Sequence, residues 1–139
     1  MNVQTYPLRL STLGQTDVRN ITDAVQETVE QSNLQAGTAT IFCPSSTSAL
    51  TTLEYEPGCV ADLKRMFEEL LPSAREYAHN ATWDDGNGHS HLRAALLGPS
   101  LTVPFSGGRL ILGRWQQIVY VDFDTRPRKR ELIVQIIGE

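Results

Sequence analysis

Apolar residues recur along this chain with two different periods, and the alternation between them predicts the order of the elements. Residues 3–10 mix Val3, Leu8 and Leu10 with Gln4, Thr5 and Arg9, the mark of a strand. Pro7 has no amide proton to give to a ladder, so that strand belongs at a sheet edge. Over residues 20–33 the spacing changes. Ile21, Ala24, Val25, Thr28 and Val29 share one helical face, Asn20 or Thr22 can cap the start, and Gly37 lies just beyond the end. Two short β-branched and aromatic runs follow, residues 38–43 and 49–55, separated by the polar turn Pro44-Ser45-Ser46-Thr47-Ser48.

Pro57-Gly58 breaks the pattern, after which Val60, Leu63, Met66, Phe67, Leu70 and Leu71 mark an amphipathic helix that Pro72 ends. From residue 73 to 91 periodicity disappears, which predicts a long loop, and loops of that length in a small domain tend to be functional. A short helix over 92–97 ends at Gly98-Pro99. Residues 101–105, 109–113, 116–123 and 131–137 complete the strands, with hairpin-type turns at 106–108 and 124–129.

About seven strands with only two full helices exclude a regular doubly wound parallel sheet. The expected fold is α+β: a β-sandwich of mixed or antiparallel sheets with flanking helices, in one domain spanning residues 1–139. The chain has 139 residues, 40% apolar and 20% charged, which is a globular composition with one core. Its net charge of -4 argues against a nucleic-acid partner. No run is long and apolar enough for a membrane helix, and the first ten residues lack the features of a signal peptide. The expected location is cytoplasmic, with Cys43 and Cys59 as space-filling thiols. Basic charge is uneven: ten of the twelve basic residues are Arg, and four basic residues fall in 126–130, read as a solvated hairpin tip.

All three histidines lie in the segment without periodicity: His79, His89 and His91. In an extended segment positions 89 and 91 point the same way, so two imidazoles can meet one cation, with His79 as a third nitrogen. Three neutral imidazoles with an open position suit a catalytic Zn²⁺, with Asp84 and Asp85 as ligands or as acceptors for the ring N–H groups. The alternative is a solvated polar loop. Glu54 sits in an apolar, β-rich stretch, where burial would lift its carboxyl towards the general-base range; the alternative is an outward-facing strand residue. Asp84-Asp85-Gly86-Asn87-Gly88 can approach a ligand closely or serve as an ordinary turn. Ser45-Ser46-Thr47-Ser48 has no Gly-rich loop or helix start behind it, so it is a weak phosphate signal.

Several motifs occurring together resemble the YjbQ-like family, which implies a secondary thiamine-phosphate synthase activity. They are residues 44–57 (Pro-Ser-Ser-Thr-Ser-Ala-Leu-Thr-Thr-Leu-Glu-Tyr-Glu-Pro), 85–91 (Asp-Gly-Asn-Gly-His-Ser-His), 97–104, Gly113-Arg114-Trp115-Gln116 and 135–139. The resemblance implies a two-sheet sandwich, a homotrimer with pockets near subunit boundaries, and a transferase joining a pyrimidine methyl diphosphate to a thiazole phosphate with release of pyrophosphate. Glu54, His79, Asn87, His91, Trp115 and Gln116 fall on positions similar to the family's motif. Many members carry His where this chain has Ser45, and Thr where it has Arg114; His89 stands where those members often carry Pro.

The expectation is therefore a metal-dependent enzyme for a phosphorylated small molecule, with His79, His89 and His91 holding Zn²⁺ and Mg²⁺ as the alternative. Glu54 would be the acid/base, and Asn87 and Arg93 would position polar or phosphorylated groups. Pyrophosphate release favours Mg²⁺ on oxygen ligands, whereas a His₃ site suits hydrolysis by a metal-activated water. A hydrolase or lyase, and a non-catalytic trimeric module that binds a metal or small ligand, are the alternatives.

Overall fold

The computed structural model describes all 139 residues. In chain order the elements are β1 (Asn2–Thr12), β2 (Asp17–Asn20), α1 (Thr22–Ser32), β3 (Ala36–Phe42), β4 (Ser48–Leu53) and α2 (Pro57–Leu70). Then come α3 (Ala78–Trp83), α4 (Gly88–Leu97), β5 (Ser100–Ser106), β6 (Arg109–Leu110), β7 (Gln117–Asp122) and β8 (Arg128–Gly138). Five strands form one sheet in the order β1-β8-β3-β5-β6, and three form a second, β2-β7-β4. Every pairing is antiparallel.

The larger sheet follows strict alternation. Leu8, Ala39, Ile41, Val103, Phe105, Leu132, Val134 and Ile136 point inwards into one core with Val25 and Val29 of α1. Val3, Phe42, Thr102 and Gln135, out of phase by one residue, stay exposed on the other face. β1 lies at the edge with Pro7 opposite Ile133, as Pro7 requires.

β7 is different because both of its faces are covered. Ile118 and Tyr120 join the core between the sheets, while Val119 and Val121 face a second cluster with Phe67 of α2 and Ala94 of α4. A strand covered on both sides reads as a continuous apolar run instead of alternating. Phe67 packs edge-on against Phe123 with ring centroids 4.8 Å apart, fixing α2 against the end of β7. Burying such a ring stabilises the fold by about 2–3 kcal/mol.

Several boundaries differ from the sequence expectation. Pro57 begins α2 instead of breaking the chain: it occupies the first helical turn, and the Glu56 carboxylate accepts from Gly58 N and Cys59 N. Asn33, left-handed at φ 58°, closes α1, and Gly37 lies inside β3. The segment expected to be a loop over 73–91 contains α3 and the first turn of α4. The turn at 124–129 is no hairpin, since β7 and β8 belong to different sheets.

Arg130 is not a solvated tip residue either. Its side chain is 14% exposed and bridges to Asp122, which is fully buried. It also donates to Ser45 Oγ at 3.1 Å and Thr47 Oγ1 at 2.9 Å. Arg128 pairs with buried Asp124 at 2.7 Å. Burial works to raise the Asp124 carboxyl, but hydrogen bonds from Thr125 N and Arg128 outweigh it and hold the group below its ordinary range.

Candidate functional site

The first turn of α4 organises the histidines, and its helical geometry decides which of them meet. Residues two apart on a helix point about 200° away from each other, whereas residues four apart share a face. Asn87 and His91 therefore lie on one side of α4, and His89 and Arg93 on the other. The expectation that His89 and His91 project together is overturned, because it assumed an extended segment.

α3 brings His79 to the Asn87 side. Its ring centroid is 4.3 Å from that of His91. Asn80 Oδ1 accepts from Gly88 N at 2.8 Å, tying α3 to the start of α4. Gly88 is needed there: a Cβ would lie 2.5 Å from the Cβ of Tyr77. On the inner side, the Ser90 hydroxyl donates to Phe123 O and anchors the turn to the end of β7.

Asp85 and Asn87 then surround His79 Nε2. With the amide nitrogen facing the carboxylate, Asn87 donates to Asp85 Oδ1 at 2.9 Å and Oδ2 at 3.1 Å, and to His79 Nε2 at 2.9 Å. In that arrangement the neutral ring accepts at Nε2. Protonation reverses the demand: Nε2–H then faces Asp85 Oδ1 at 3.3 Å, and the Asn87 amide keeps its bonds to the carboxylate. The ring can hold or release a proton with a hydrogen-bond partner in either state. Asn87 is buried, while His79 and His91 stay partly open to solvent.

His89 is buried against the other side of α4, and its Nδ1 has no partner. Burial first, and the Arg93 charge second, push its ring below the ordinary histidine range. A catalytic zinc needs three converging protein donors. No three His, Cys, Asp or Glu side chains of this chain converge in that way. The expected His79–His89–His91 set is thus not assembled within the chain. Ser45, where many members carry His, accepts from Arg130 through its hydroxyl.

Glu54 is exposed and follows the last residue of β4, so the expectation of a carboxylate buried in a strand is corrected. It adjoins Leu53, which pairs with Gln117 at one end of β7; the histidine turn is anchored at Phe123, the other end. Six residues of strand separate those ends by about 20 Å. Gln116 lies on the Glu54 side, donating to Thr52 Oγ1 at 3.2 Å. Exposed Trp115 is covered by Arg114 at 4.9 Å from the ring centroid. Ser45 and Thr47 serve Arg130 instead of a phosphate, and the buried partners Asp122 and Asp124 have one signal in the sequence, the Asp-Phe-Asp pair just before the Arg-rich segment.

These features define a two-sheet antiparallel α+β protein with polar clusters at both ends of its shorter sheet. The family model "UPF0047 protein YjbQ-like" matches residues 6–139, and the chain belongs to that family. A UPF0047 protein of Methanothermobacter thermautotrophicus is 38% identical over the whole chain and 95% of its own length. A crystal structure from Sulfolobus solfataricus, described as a YbjQ-like protein of unknown function, superposes with a TM-score of 0.94 at 34% identity, covering 99% of each chain. A hypothetical protein from Aeropyrum pernix gives a TM-score of 0.91 at 30% identity, covering 98% of this chain and 99% of its own. No helix is long and apolar enough to cross a membrane.

Proposed function

We propose that the chain is a transferase of the thiamine-phosphate synthase type whose acid–base group is His79, set between Asp85 and Asn87 and backed by His91. The observation that carries this reading is the pair of partners at His79 Nε2: the Asn87 amide N–H at 2.9 Å for the neutral ring, and Asp85 Oδ1 at 3.3 Å for the protonated one. General acid–base catalysis requires a positioned ring of that kind. In the reaction, the thiazole nitrogen forms a bond to the pyrimidine methylene carbon. The carbon–oxygen bond to diphosphate breaks, and diphosphate leaves with the electron pair. Protonated His79, with His91 beside it, would stabilise the charge growing on that leaving group.

Glu54 enters as a residue delivered to the pocket of a neighbouring copy, since about 20 Å of strand separates it from the histidines of its own chain. A homotrimer is part of the proposal. Its support is the uncovered outer face of the larger sheet, where Val3 is 59% and Phe42 43% exposed.

The test is pyrophosphate release from a pyrimidine methyl diphosphate, with and without a thiazole phosphate. Release that depends on both substrates, and is lost in His79→Asn, supports the proposal. Release from the diphosphate alone would make the protein a hydrolase. Stoichiometric binding without turnover would make it a binding module, and either outcome overturns the transferase reading.

A further inference from the structure

The face of α4 that carries His89 and Arg93 borders a cleft of about 380 Å³ with no hydrophobic residue in its lining. Gln15, Thr16, Lys64, Glu68, His89 and Arg93 form its walls, with Arg65 at the rim. Three fixed cations face one carboxylate there. Lys64 belongs to no ion pair, whereas Arg65 is shared with Asp62 at 2.9 Å.

Arg93 is held rigidly at the back. Its side chain is only 5% exposed. Nε and Nη2 donate to Leu71 O at 3.0 and 2.9 Å, Nη2 also to Glu68, and Nη1 to Thr16 Oγ1 at 3.0 Å. Those bonds use four of the five guanidinium N–H groups and leave one on Nη1. Beside it, His89 is 4% exposed and its Nδ1 is unpartnered. A buried polar atom without a partner costs free energy, so its persistence asks for an explanation.

The opposite wall is strained. Gln15 and Thr16 both adopt left-handed backbone, at φ 56° and 62°. That conformation is a true outlier for a β-branched residue such as Thr16, and such strain concentrates at ligand sites. Here it turns the Thr16 hydroxyl inwards onto Arg93.

We propose that this cleft binds the phosphate of a small, hydroxyl-rich phosphate ester, held by Lys64, Arg93 and His89, on the face of α4 opposite the His79 site. Cations on a preorganised frame with spare N–H donors suit a phosphate oxygen. A lining without apolar residues requires the remainder of the ligand to be polar. The inference is independent of the transferase reading.

The chain has three histidines, so its imidazole NMR spectrum resolves both sites at once. Inorganic phosphate and glycerol phosphate are titrated at constant ionic strength, into the wild type and into Lys64→Glu, an exposed position that leaves folding intact. The expected result is a saturable shift of the His89 signals, with affinity about tenfold weaker in Lys64→Glu, a loss of about 1.4 kcal/mol. Shifts confined to His79 and His91, no saturable shift at His89, or equal affinity in the variant would each overturn the proposal.

Discussion

His89 and His91 differ by two positions in sequence and by opposite sides of a helix in space. Their substitutions should therefore behave differently. His91→Ala and His79→Asn are expected to lower turnover roughly 10²–10⁴-fold, the usual range for a lost acid–base group. Steady-state rates and thermal unfolding for both variants check this, with stability changing by less than about 1 kcal/mol because both rings are partly exposed. Glu54→Gln should likewise leave stability within about 0.5 kcal/mol, since Glu54 is exposed, while still reducing turnover. Asp124 gives a prediction of a different kind. Its carboxyl is held below the ordinary value, so it contributes stability above the unfolded value near 3.8 that is lost as pH falls through the folded value. Asp124→Asn should flatten the acid limb of a stability–pH curve below about pH 4; an unchanged limb would show that other carboxylates set it.

At the scale of elements, the longer strands and the two long helices are legible because their apolar residues repeat with period 2 or 3.6 or, in β7, run continuously. α3 and the start of α4 are not. Their stabilising contacts are polar: Asn80 to Gly88 N, Ser90 to Phe123 O, and Asn87 with Asp85. Hydrogen bonds of this sort leave no periodic trace, so His-x-His read as extended, and its metal geometry followed from that error. β2 escaped notice because four residues carry too little pattern. The Arg-rich segment misled for another reason: the carboxylates that bury Arg130 lie on β7 and just beyond it, in what read as a plain apolar strand. Two substitutions probe these elements. Gly88→Ala places a methyl against Tyr77 and should cost about 1–3 kcal/mol by overpacking, with a parallel fall in turnover as His79 and His91 separate. Arg130→Met strands Asp122 and should cost about 3–5 kcal/mol, part of which Asp122→Leu in the same chain should restore. Denaturant titration of the single and double variants measures both effects.

For the whole molecule, the two sheets divide the work. The shorter sheet, covered on both faces, carries clusters at its two ends, with the histidines at one and Glu54 and Gln116 at the other. The larger sheet leaves a whole face uncovered, and long exposed sheet surfaces favour association. Light scattering at micromolar concentration should return three times the 15.4 kDa chain mass, and a monomer mass would remove the assembly from the proposal. We assign to His79, between Asp85 and Asn87, the acid–base role in a reaction that releases pyrophosphate. Its most direct test is the rate of pyrophosphate release by wild type and His79→Asn, given both a pyrimidine methyl diphosphate and a thiazole phosphate. Turnover should require both substrates and fall at least about 100-fold in the variant. Equal rates in the two proteins, or release that ignores the thiazole phosphate, would contradict it.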